Sequence, residues 1–454
     1  MREVKDQHIV VIGAARSGMA AASLLHKKGA EVFVTDHNRL SEEDRQHLEA
    51  TGIPYEENGH TDRARQGEFA VVSPGVPTEA PLVQKYLNAG KNVYSELEVA
   101  SWFNSNPIVA VTGSNGKTTV TSWLGHTWKL SKKNAVVAGN IGHAFSNAVS
   151  GDETSDRDVI LEVSSFQLDH IDNFHPRISM ILNITPDHLD RYQNSIEKYA
   201  ASKFRITENQ NADDWFIYHY DDPIVSEHAK FLKQKSNAPK LLAFSSSSEL
   251  PTGAFIRNDK IILKLNQKEE VLMPISDIRL SGTHNLNNGL ATALAARASE
   301  IKNDVIRESL KTFEGVEHRL ELVRKVDGVR YINDSKATNI NAVWYALDSY
   351  KMPMVLILGG RDKGNDYSEL IPQIREKVHT IVAIGEAKAK IENQLKPVVP
   401  NFETAETLPD AVKISRGYAK RGEIVLLSPA CSSFDMFENY EHRGEVFKQA
   451  VNNL

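Results

Sequence analysis

The sequence contains few cysteines, no long apolar run and no block of one charge. Its one cysteine, Cys431, excludes a disulfide within the chain, which is typical of a protein in a reducing compartment. No stretch approaches about 18 consecutive apolar residues, so we expect no membrane span. The first residues lack the layout of a signal peptide, because Gly13, Arg16 and Gly18 interrupt the apolar run. We therefore expect a cytoplasmic protein.

The charge balance is mildly acidic. With 53 Lys and Arg against 59 Asp and Glu, the 454-residue chain carries a formal charge of −6. The sequence has no basic block of the kind that follows a nucleic-acid backbone, so we expect no nucleic-acid partner. A hydrophobic content of 41% and a length sufficient for roughly two to four domains indicate a globular protein with ample core.

Short apolar segments alternate with helical ones along almost the whole chain, which predicts an α/β fold with parallel sheets. We predict three domains: a Rossmann-like N-terminal domain over 1–96, a central P-loop domain over 97–315 and a Rossmann-like C-terminal domain over 316–454. Within the central domain, residues 214–276 predict an antiparallel addition of short strands. The predicted strands are 8–12, 31–35, 69–72, 108–111, 158–163, 178–183, 254–256, 260–265, 329–333, 354–358, 380–384 and 423–427, and two of the predicted helices are 17–28 and 285–298.

One segment carries the strongest functional signal. The apolar run 108–111 predicts a buried strand, a glycine-rich turn follows at 113–116, and Lys117 begins a helix. In such a phosphate-binding loop, backbone N–H groups face the anion, the lysine reaches the outer phosphates and a hydroxyl meets Mg²⁺. Val111 stands where the common pattern has glycine, so the loop is a shorter variant. We predict that a nucleoside triphosphate binds at Gly113, Ser114, Asn115, Gly116, Lys117, Thr118 and Thr119.

The N-terminal turn at 13–18 resembles the dinucleotide-binding fingerprint, but Ala15 replaces the glycine that lets the backbone approach a pyrophosphate. Asp36 ends the next predicted strand, where a ribose-binding acid would lie. Three interpretations stay open at this point: an NAD site, a site for another nucleotide that approaches less closely, and a purely structural turn.

Polar residues also follow two strands of the central domain. Glu162 ends an apolar strand beside the P-loop and is a natural ligand for Mg²⁺. Pro186 interrupts the next strand and brings together Asp187, His188, Asp190 and Arg191, a combination that suits metal and phosphate binding. No cysteine or second close histidine completes a zinc site.

The last two blocks add further candidates. Asn285 begins an alanine-rich helix, where its amide either caps the helix or contacts adenine. In the C-terminal block, Asp334 is placed to hold a ribose or to polarise a group, and Lys336 to stabilise an oxyanion or phosphate. Polar turns at 359–364 and 428–434 follow two other strands, and three such turns in one domain predict a binding edge.

Taken in order, these motifs resemble the Mur ligase family of peptidoglycan synthesis over essentially the whole chain. Segments 334–339, 428–433 and the turn at 13–18 point to the members that add D-glutamate. The members that add a diamino acid or a dipeptide usually carry an Asp-Asn-Pro or Asp-Tyr motif directly after the strand that precedes segment 334–339, and that position lacks it here. Individual motifs are shared with sister ligases and with folylpolyglutamate synthetase. The resemblance is carried by residues 113–119, 139–142, 162–168, 183–192, 199–205, 284–285, 317–319, 333–339 and 427–431.

The resemblance implies an ATP-dependent amide ligase that is cytoplasmic and monomeric. It implies the substrates UDP-N-acetylmuramoyl-L-alanine, D-glutamate and ATP, an acyl-phosphate intermediate and two Mg²⁺ ions. In the family, the lysine that matches Lys203 carries a carbamate derived from CO₂. Carbamylation would turn a cation with a pKa of about 10.4 into an anionic oxygen ligand for a hard metal ion. From the residues alone, Lys203 would be taken as an exposed lysine on a helix.

The resemblance also implies a role for each matching residue. Lys117, His188 and Lys203 are the expected catalytic residues. The expected metal ligands are Thr118, Glu162, His188 and Lys203. The UDP-substrate is expected at Arg16, Ser17, Asp36, Gly75, Asn140, His188 and Arg191. ATP is expected at the P-loop and at Asn285, Arg319 and Asp334. D-Glutamate is expected at Lys336, Thr338, Lys363, Ser433, Phe434 and Tyr440. Two departures from the family are His37 and Asn38 beside the uracil site, and Tyr440 where phenylalanine is frequent.

Three alternatives remain distinguishable by assay. A sister ligase would release phosphate with another amino acid. An NAD-dependent oxidoreductase that uses the turn at 13–18 would change nicotinamide absorbance without ATP. A P-loop switch or nucleic-acid motor would carry basic strips and respond to nucleic acid, which the acidic balance opposes.

Overall fold

The computed structural model describes residues 2–151, 156–265, 267–280, 282–362 and 364–454. In that part of the chain, the first sheet has five strands in the order β3-β2-β1-β4-β5, and every pair is parallel. Its inner strands are apolar and buried, as expected for a parallel sheet covered on both faces. The strands are β1 (His8–Ile12), β2 (Glu31–Thr35), β3 (Tyr55–Glu56), β4 (Phe69–Val72) and β5 (Val93–Ser95). The helices are α1 (Arg16–Lys27), α2 (Glu42–Thr51), α3 (Pro81–Asn88) and α4 (Glu96–Ser101).

The central sheet has nine strands among the described residues, in the order β14-β13-β12-β11-β10-β9-β6-β8-β7. The strands are β6 (Ile108–Thr112), β7 (Ala135–Gly139), β8 (Asp158–Glu162), β9 (Ile178–Ile181), β10 (Trp215–His219), β11 (Lys240–Ser245), β12 (Gly253–Arg257), β13 (Lys260–Leu265) and β14 (Lys268–Pro274). The helices are α5 (Lys117–Ser131), α6 (Phe145–Val149), α7 (Ser165–Leu168), α8 (Ile196–Phe204), α9 (Pro223–Lys233), α10 (Thr283–Ala298) and α11 (Asn303–Thr312).

The antiparallel addition is present but shorter than predicted. Only the pairs β12–β13 and β13–β14 are antiparallel, whereas β10 and β11 continue the parallel sheet. The prediction that the antiparallel pattern begins near residue 214 was therefore wrong. The physical reason is that β10 and β11 are joined through helix α9, and a helical crossover returns the chain in the same direction.

The C-terminal sheet, as far as the structure describes it, has six strands in the order β15-β16-β20-β17-β18-β19. The pair β15–β16 is antiparallel and the others are parallel. The strands are β15 (Glu321–Val326), β16 (Val329–Asn333), β17 (Met354–Gly359), β18 (Val378–Ile384), β19 (Asn401–Thr404) and β20 (Ile424–Leu427). The helices are α12 (Ile340–Asp348), α13 (Ile371–Lys377), α14 (Lys388–Leu395), α15 (Leu408–Tyr418) and α16 (Tyr440–Asn452).

The described chain divides into two compact units. The first contains residues 1–277 and 287–311 and holds the first and central sheets. The second contains residues 278–286 and 312–454 and holds the C-terminal sheet. The three predicted α/β blocks thus correspond to three sheets, while the boundaries at 96 and 315 stay predictions. No described helix combines the length and apolar character that crossing a bilayer requires.

Helix α4 connects the first sheet to the central one. Glu98 on this helix is fully buried and accepts hydrogen bonds from the backbone N–H groups of Asp172, Asn173 and Phe174 at 2.8–3.1 Å. It also accepts the indole N–H of Trp102 at 2.8 Å. A buried carboxylate with this many donors is well satisfied and fixes the position of the segment that precedes β9.

The single thiol lies inside the second unit. Cys431 is fully buried, its Sγ is 3.2 Å from the hydroxyl of Tyr367, and burial raises the pKa of the thiol. The loop that begins at Ser428 therefore packs its side chains inward as well as toward the carboxyl edge of the sheet.

Candidate functional site

The P-loop is formed where β6 ends at Thr112 and α5 begins at Lys117. Gly113 and Gly116 adopt φ of +147° and +88°, which favour glycine. A Cβ at Gly116 would lie 2.6 Å from Oδ1 of Asn288, so a side chain does not fit there. The strand, glycine turn and helix predicted from the sequence are all present.

Two residues after β9 hold the loop in place. The N–H of Ser114 donates to the carbonyl of Asn183 at 2.9 Å, and the N–H of Asn115 donates to Oδ1 of Asn183 at 2.8 Å. The hydroxyl of Ser114 lies 2.8 Å from the carbonyl of Thr185 and accepts the Thr185 N–H at 2.9 Å. The backbone N–H groups of Ser114 and Asn115 therefore both donate to Asn183 in this structure.

Two lysines meet at this loop. Nζ of Lys117 donates to the carbonyls of Gly113 at 2.8 Å and Ser114 at 2.9 Å. Nζ of Lys203 on α8 donates to the same Gly113 carbonyl at 3.0 Å. Lys203 is 1% exposed, and burial, reinforced by the charge of Lys117, lowers its pKa well below the ordinary value. The interpretation of Lys203 as an exposed helix lysine was therefore wrong.

Glu162 ends β8 beside the loop, in register with Val111 of β6 and Gly139 of β7. The residue is 2% exposed, and its Oε1 accepts the side-chain N–H of Asn140 at 2.8 Å. Oε2 is buried and has no hydrogen-bond partner among the described residues. An unpartnered buried carboxylate oxygen is costly unless a cation or donor meets it, so this site fits a magnesium ion.

The remaining residues of the expected metal set lie on neighbouring segments. Thr118 lies in the first turn of α5 and is 5% exposed. His188 adopts φ of +51°, its side chain is half-exposed, and Nε2 is 3.7 Å from Oδ1 of Asp187. The charges of Asp187, Asp169 and Glu162 act in the opposite direction to burial and to Lys117, and so limit the fall in the pKa of Lys203.

The residues expected to bind the UDP-substrate lie between the first and central sheets. The guanidinium of Arg16 donates to the carbonyls of Asn140 at 3.1 Å and Gly142 at 2.9 Å. In the other direction, Arg191 donates to the carbonyls of Gly75 at 3.4 Å and Val76 at 3.1 Å. The structure thus brings four of the seven predicted substrate residues into two bridges between the sheets.

The other predicted contacts of this group have different surroundings. Both carboxylate oxygens of Asp36 accept backbone N–H groups, from Ala14 at 2.7 Å and from Asn38 at 2.8 Å. Asp36 therefore fixes the turn at 13–18 from the end of β2. Ser17 lies half-buried in the first turn of α1.

In the second unit, a buried carboxylate lies beside an arginine. Asp334 is 4% exposed, and its oxygens accept the hydroxyl of Ser428 at 2.9 Å and the N–H of Leu320 at 3.2 Å. Burial raises the pKa of Asp334 to about 7, although the charge of Arg319 opposes the shift. Nε of Arg319 is buried and has no hydrogen-bond partner in the described part of the chain. The buried carboxyl group of Asp334 and the unpartnered Nε of Arg319 are polar groups that a ligand could meet.

Asn285 and His284 belong to the same unit. Asn285 is 7% exposed in the first turn of α10. His284 lies next to Tyr345, with ring centroids 5.7 Å apart. Burial, together with the charge of Arg319, lowers the pKa of His284 to about 4, so the imidazole is neutral at physiological pH.

Of the residues expected to bind D-glutamate, Lys336 and Tyr440 lie close to each other. Nζ of Lys336 lies 5.0 Å from the ring centroid of Tyr440, which begins α16. Ser433 is buried, Thr338 is half-buried, and Phe434 is 61% exposed. Lys363 lies outside the described residues.

Four residues that the sequence analysis did not select support candidate residues, three of them in the first unit and one in the second. Asn183 and Thr185 anchor the P-loop, and Asn288 packs against Gly116. Fully buried Arg443 donates to Ser335 Oγ at 3.0 Å, the Ser335 carbonyl at 2.8 Å and the Cys431 carbonyl at 3.1 Å. For Asn288, the signal in the sequence was its spacing of three residues from Asn285, which places both amides on one helix face.

Family models match most of the chain. The Mur ligase middle domain matches residues 111–296, the glutamate ligase domain of the Mur ligases matches 318–431, and the MurD N-terminal domain matches 8–81. The chain belongs to the Mur ligase family, which carries out ATP-dependent amide ligation in the synthesis of peptidoglycan precursors. This membership confirms the expected family.

Two curated relatives carry a more specific name. Proteins named UDP-N-acetylmuramoylalanine–D-glutamate ligase from Salinibacter ruber and Chloroherpeton thalassium are 49% and 44% identical to this chain, and each alignment covers 100% of this chain and 99% of the relative. Among solved structures, UDP-N-acetylmuramate-alanine ligase MurC from Thermotoga maritima is similar with a TM-score of 0.61 at 18% identity, and the alignment covers 98% of this chain and 99% of that one. The structural likeness confirms the three-domain α/β fold.

Proposed function

We propose that this protein joins D-glutamate to UDP-N-acetylmuramoyl-L-alanine at the expense of ATP. The observation that carries the proposal is the buried group at the P-loop, where Lys117 and Lys203 share the Gly113 carbonyl and Glu162 keeps an unpartnered oxygen. Full-length relatives that bear the name of this ligase support the choice of substrates. We also propose that the protein acts as a monomer in the cytoplasm, where its ATP is available.

The reaction would proceed in two displacements. The L-alanyl carboxylate attacks the γ-phosphorus of ATP, the bond to the bridging oxygen breaks, and ADP leaves. The amine of D-glutamate then attacks the carbonyl of the acyl phosphate, inorganic phosphate leaves, and the nitrogen loses a proton. The protein contributes mainly the positions of the reactants and the neutralisation of their charge.

Residues of both units have parts in this scheme. Lys117 would exchange its loop carbonyls for the outer phosphates of ATP. Asp334 and Arg319 would contact ATP, and Lys336 would pair with a carboxylate of D-glutamate. Arg16 and Arg191 would pair with the phosphates of the UDP-substrate.

Magnesium would be held by Thr118, Glu162, His188 and a carbamylated Lys203. When bound, it would offset the repulsion between the anionic substrate and the phosphates of ATP. We propose two such ions.

The environment of this amine supports the proposed carbamate on Lys203. Burial and a neighbouring cation lower its pKa, so a larger share of the amine is unprotonated and able to add to CO₂. The product would be an anion close to Lys117 and would relieve the repulsion between the two ammonium groups.

The reaction is tested with purified protein, ATP, Mg²⁺ and the muramoyl-alanine nucleotide. D-Glutamate, L-alanine, L-lysine and diaminopimelate are supplied separately, and tetrahydrofolate with L-glutamate tests the related ligase. We expect phosphate release and a new amide, measured by mass spectrometry, with D-glutamate only. A product with another amino acid would assign the chain to a sister activity, and no phosphate release with any substrate would reject the proposal.

The carbamate has a separate test. Wild-type protein and Lys203→Ala are equilibrated with ¹³C-bicarbonate and compared by ¹³C NMR. We expect one carbamate resonance in the wild type that the variant lacks. Identical spectra would reject the modification while leaving the ligase activity open to the assay above.

A further inference from the structure

Two arginines connect the first and central sheets in opposite directions. Arg16, from the first turn of α1, donates to the loop 139–142 that follows β7. Arg191, from the segment after β9, donates to the turn 73–77 that follows β4. Each guanidinium group therefore donates to backbone carbonyls of a loop that follows a strand of the other sheet. The loop that accepts from Arg16 is the one that contacts the expected metal ligand Glu162.

The loop that Arg16 holds continues to Glu162. The carbonyl of Asn140 accepts from Arg16, its N–H donates to the Glu162 carbonyl at 2.9 Å, and its side-chain N–H donates to Oε1 of Glu162 at 2.8 Å. The amide orientation is fixed because the carboxylate can only accept a hydrogen bond from the NH₂ group. Asn140 is thus attached to Arg16 on one side and to the expected metal ligand on the other.

The position of Glu162 matters because its two oxygens differ. Oε1 is occupied by Asn140, and Oε2 is buried and lacks a hydrogen-bond partner among the described residues. If Asn140 moves, the carboxylate can rotate about its terminal bond, since sp² terminal torsions are broad. Partners that orient a metal ligand typically change metal affinity by about 10- to 100-fold when removed.

We propose that Arg16 is a positioning residue for the metal ligand Glu162 and acts through the loop that carries Asn140. This inference rests on the proposed function only for the identity of the metal. It assigns Arg16 a task that is separate from contact with the UDP-substrate. Arg16 lies on helix α1, which follows the first strand of the first sheet, so the domain expected to bind the nucleotide sugar would also orient a ligand of the metal site.

The test measures binding of Mn²⁺ together with ATP by electron paramagnetic resonance, without UDP-substrate or amino acid. We expect Asn140→Ala to weaken Mn²⁺ binding by about 10-fold or more, and Arg16→Ala by about 5-fold, since the arginine acts at one remove. Arg16→Lys should recover part of the loss, because the ammonium keeps the charge but does not reproduce the planar guanidinium, whose two separate NH₂ groups each meet one carbonyl.

Lys27→Ala is the matched control. Lys27 lies on the same helix α1, has the same charge and also donates to a backbone carbonyl, that of Ser150 at 2.7 Å. Ser150 directly follows α6 and is not part of the loop that carries Asn140. We expect Mn²⁺ affinity of Lys27→Ala to equal that of the wild type, which separates the effect of Arg16 from the general loss of a cation.

The double variant Arg16→Ala/Asn140→Ala decides how the effect is transmitted. If Arg16 acts through Asn140, the double variant binds Mn²⁺ no more weakly than Asn140→Ala alone. Additive losses would overturn the route through Asn140. Wild-type Mn²⁺ affinity in Arg16→Ala with a raised KM for the UDP-substrate would overturn the inference and leave the proposed function standing. Circular dichroism and urea midpoints of each variant establish that it is folded.

Discussion

Lys117 and Lys203 donate to one carbonyl oxygen, that of Gly113, at 2.8 and 3.0 Å. Two cations at a single acceptor repel, and the buried one is the less solvated, so its pKa falls. This arrangement gives the two lysines different tasks. Lys117 is the more accessible of the two and is the candidate to meet phosphates, whereas the buried amine of Lys203 is the candidate for chemical modification.

The first prediction concerns Lys117. Lys117→Ala removes the cation that would meet the outer phosphates, so we expect kcat to fall by about 10²-fold or more, as when other charge-stabilising groups are removed. Phosphate release under saturating substrates measures the effect. Lys129→Ala, on the exposed end of the same helix α5, is the control and should keep wild-type turnover. Turnover of Lys117→Ala close to that of the control would contradict the assignment.

At the scale of single elements, α4 shows how a short helix stabilises the first unit. Its Glu98 accepts three backbone N–H groups of residues 172–174 and the indole of Trp102. Trp102 also forms a cluster with Phe69 and Tyr94 around the guanidinium of Arg2, which lies 4.5–5.1 Å from the three ring centroids. One helix thus links the first sheet to the central one through both a carboxylate and an aromatic cluster.

The second prediction concerns this helix. Glu98→Ala leaves buried N–H groups without an acceptor, so we expect the free energy of unfolding of the first unit to fall by about 3 kcal/mol or more. Glu98→Gln keeps one acceptor oxygen and should lose less. Urea unfolding followed by tryptophan fluorescence measures both.

The control for α4 is Glu43→Ala on exposed α2, which should change stability by less than about 0.5 kcal/mol. If Glu98→Ala were as stable as Glu43→Ala, the carboxylate would have no structural role in joining the sheets.

The elements themselves were predictable where the signal is local. Strands 8–12, 31–35, 69–72, 260–265 and 329–333 agree with the structure at both ends, because apolar runs bounded by glycine or polar residues are unambiguous. Strands β3 and β19 were not predicted, because they are short, half-buried and mixed in polarity. The parallel pairing of β10 and β11 depends on the helical crossover through α9. The apolar pattern of the two strands does not reveal that crossover.

The site was predictable to the extent that its residues follow strands. The P-loop and Glu162 could be selected from the sequence because each ends an apolar strand. The burial of Lys203 and the anchoring role of Asn183 could not, since both depend on which segments meet after folding. Arg443, three residues into a polar helix, gave no sign of being fully buried.

At the scale of the whole molecule, two buried titratable groups of the second unit have opposite effects on how stability changes with pH. Asp334 has a pKa of about 7 in the folded state against 3.8 ordinarily, so the native state holds an extra proton between these values and stability falls as pH rises. His284 has a pKa of about 4 against 6.5, so the unfolded state holds the extra proton and stability rises with pH in that window. The two slopes offset between about pH 4 and 6.5.

The third prediction removes one of the two groups. Asp334→Asn should leave the His284 slope uncompensated, so the stability of the second unit should rise more steeply between about pH 4.5 and 6.5 than in the wild type. Urea unfolding at several pH values measures the slope. Asp327→Asn, an exposed residue of the same unit, should keep the wild-type profile. A profile of Asp334→Asn parallel to that of the wild type would show that the carboxyl group is ionised throughout.

The buried thiol of Cys431 gives this molecule an internal reporter. Because the chain has one cysteine and it is shielded beside Tyr367, an alkylating reagent reacts only when the surrounding layer opens. Labelling rates under non-denaturing conditions therefore report transient opening of the second unit alone, without a fluorophore or an engineered residue. The labelling rate of Cys431 measured with each nucleotide or amino acid present would show which of these ligands slows the opening of the second unit.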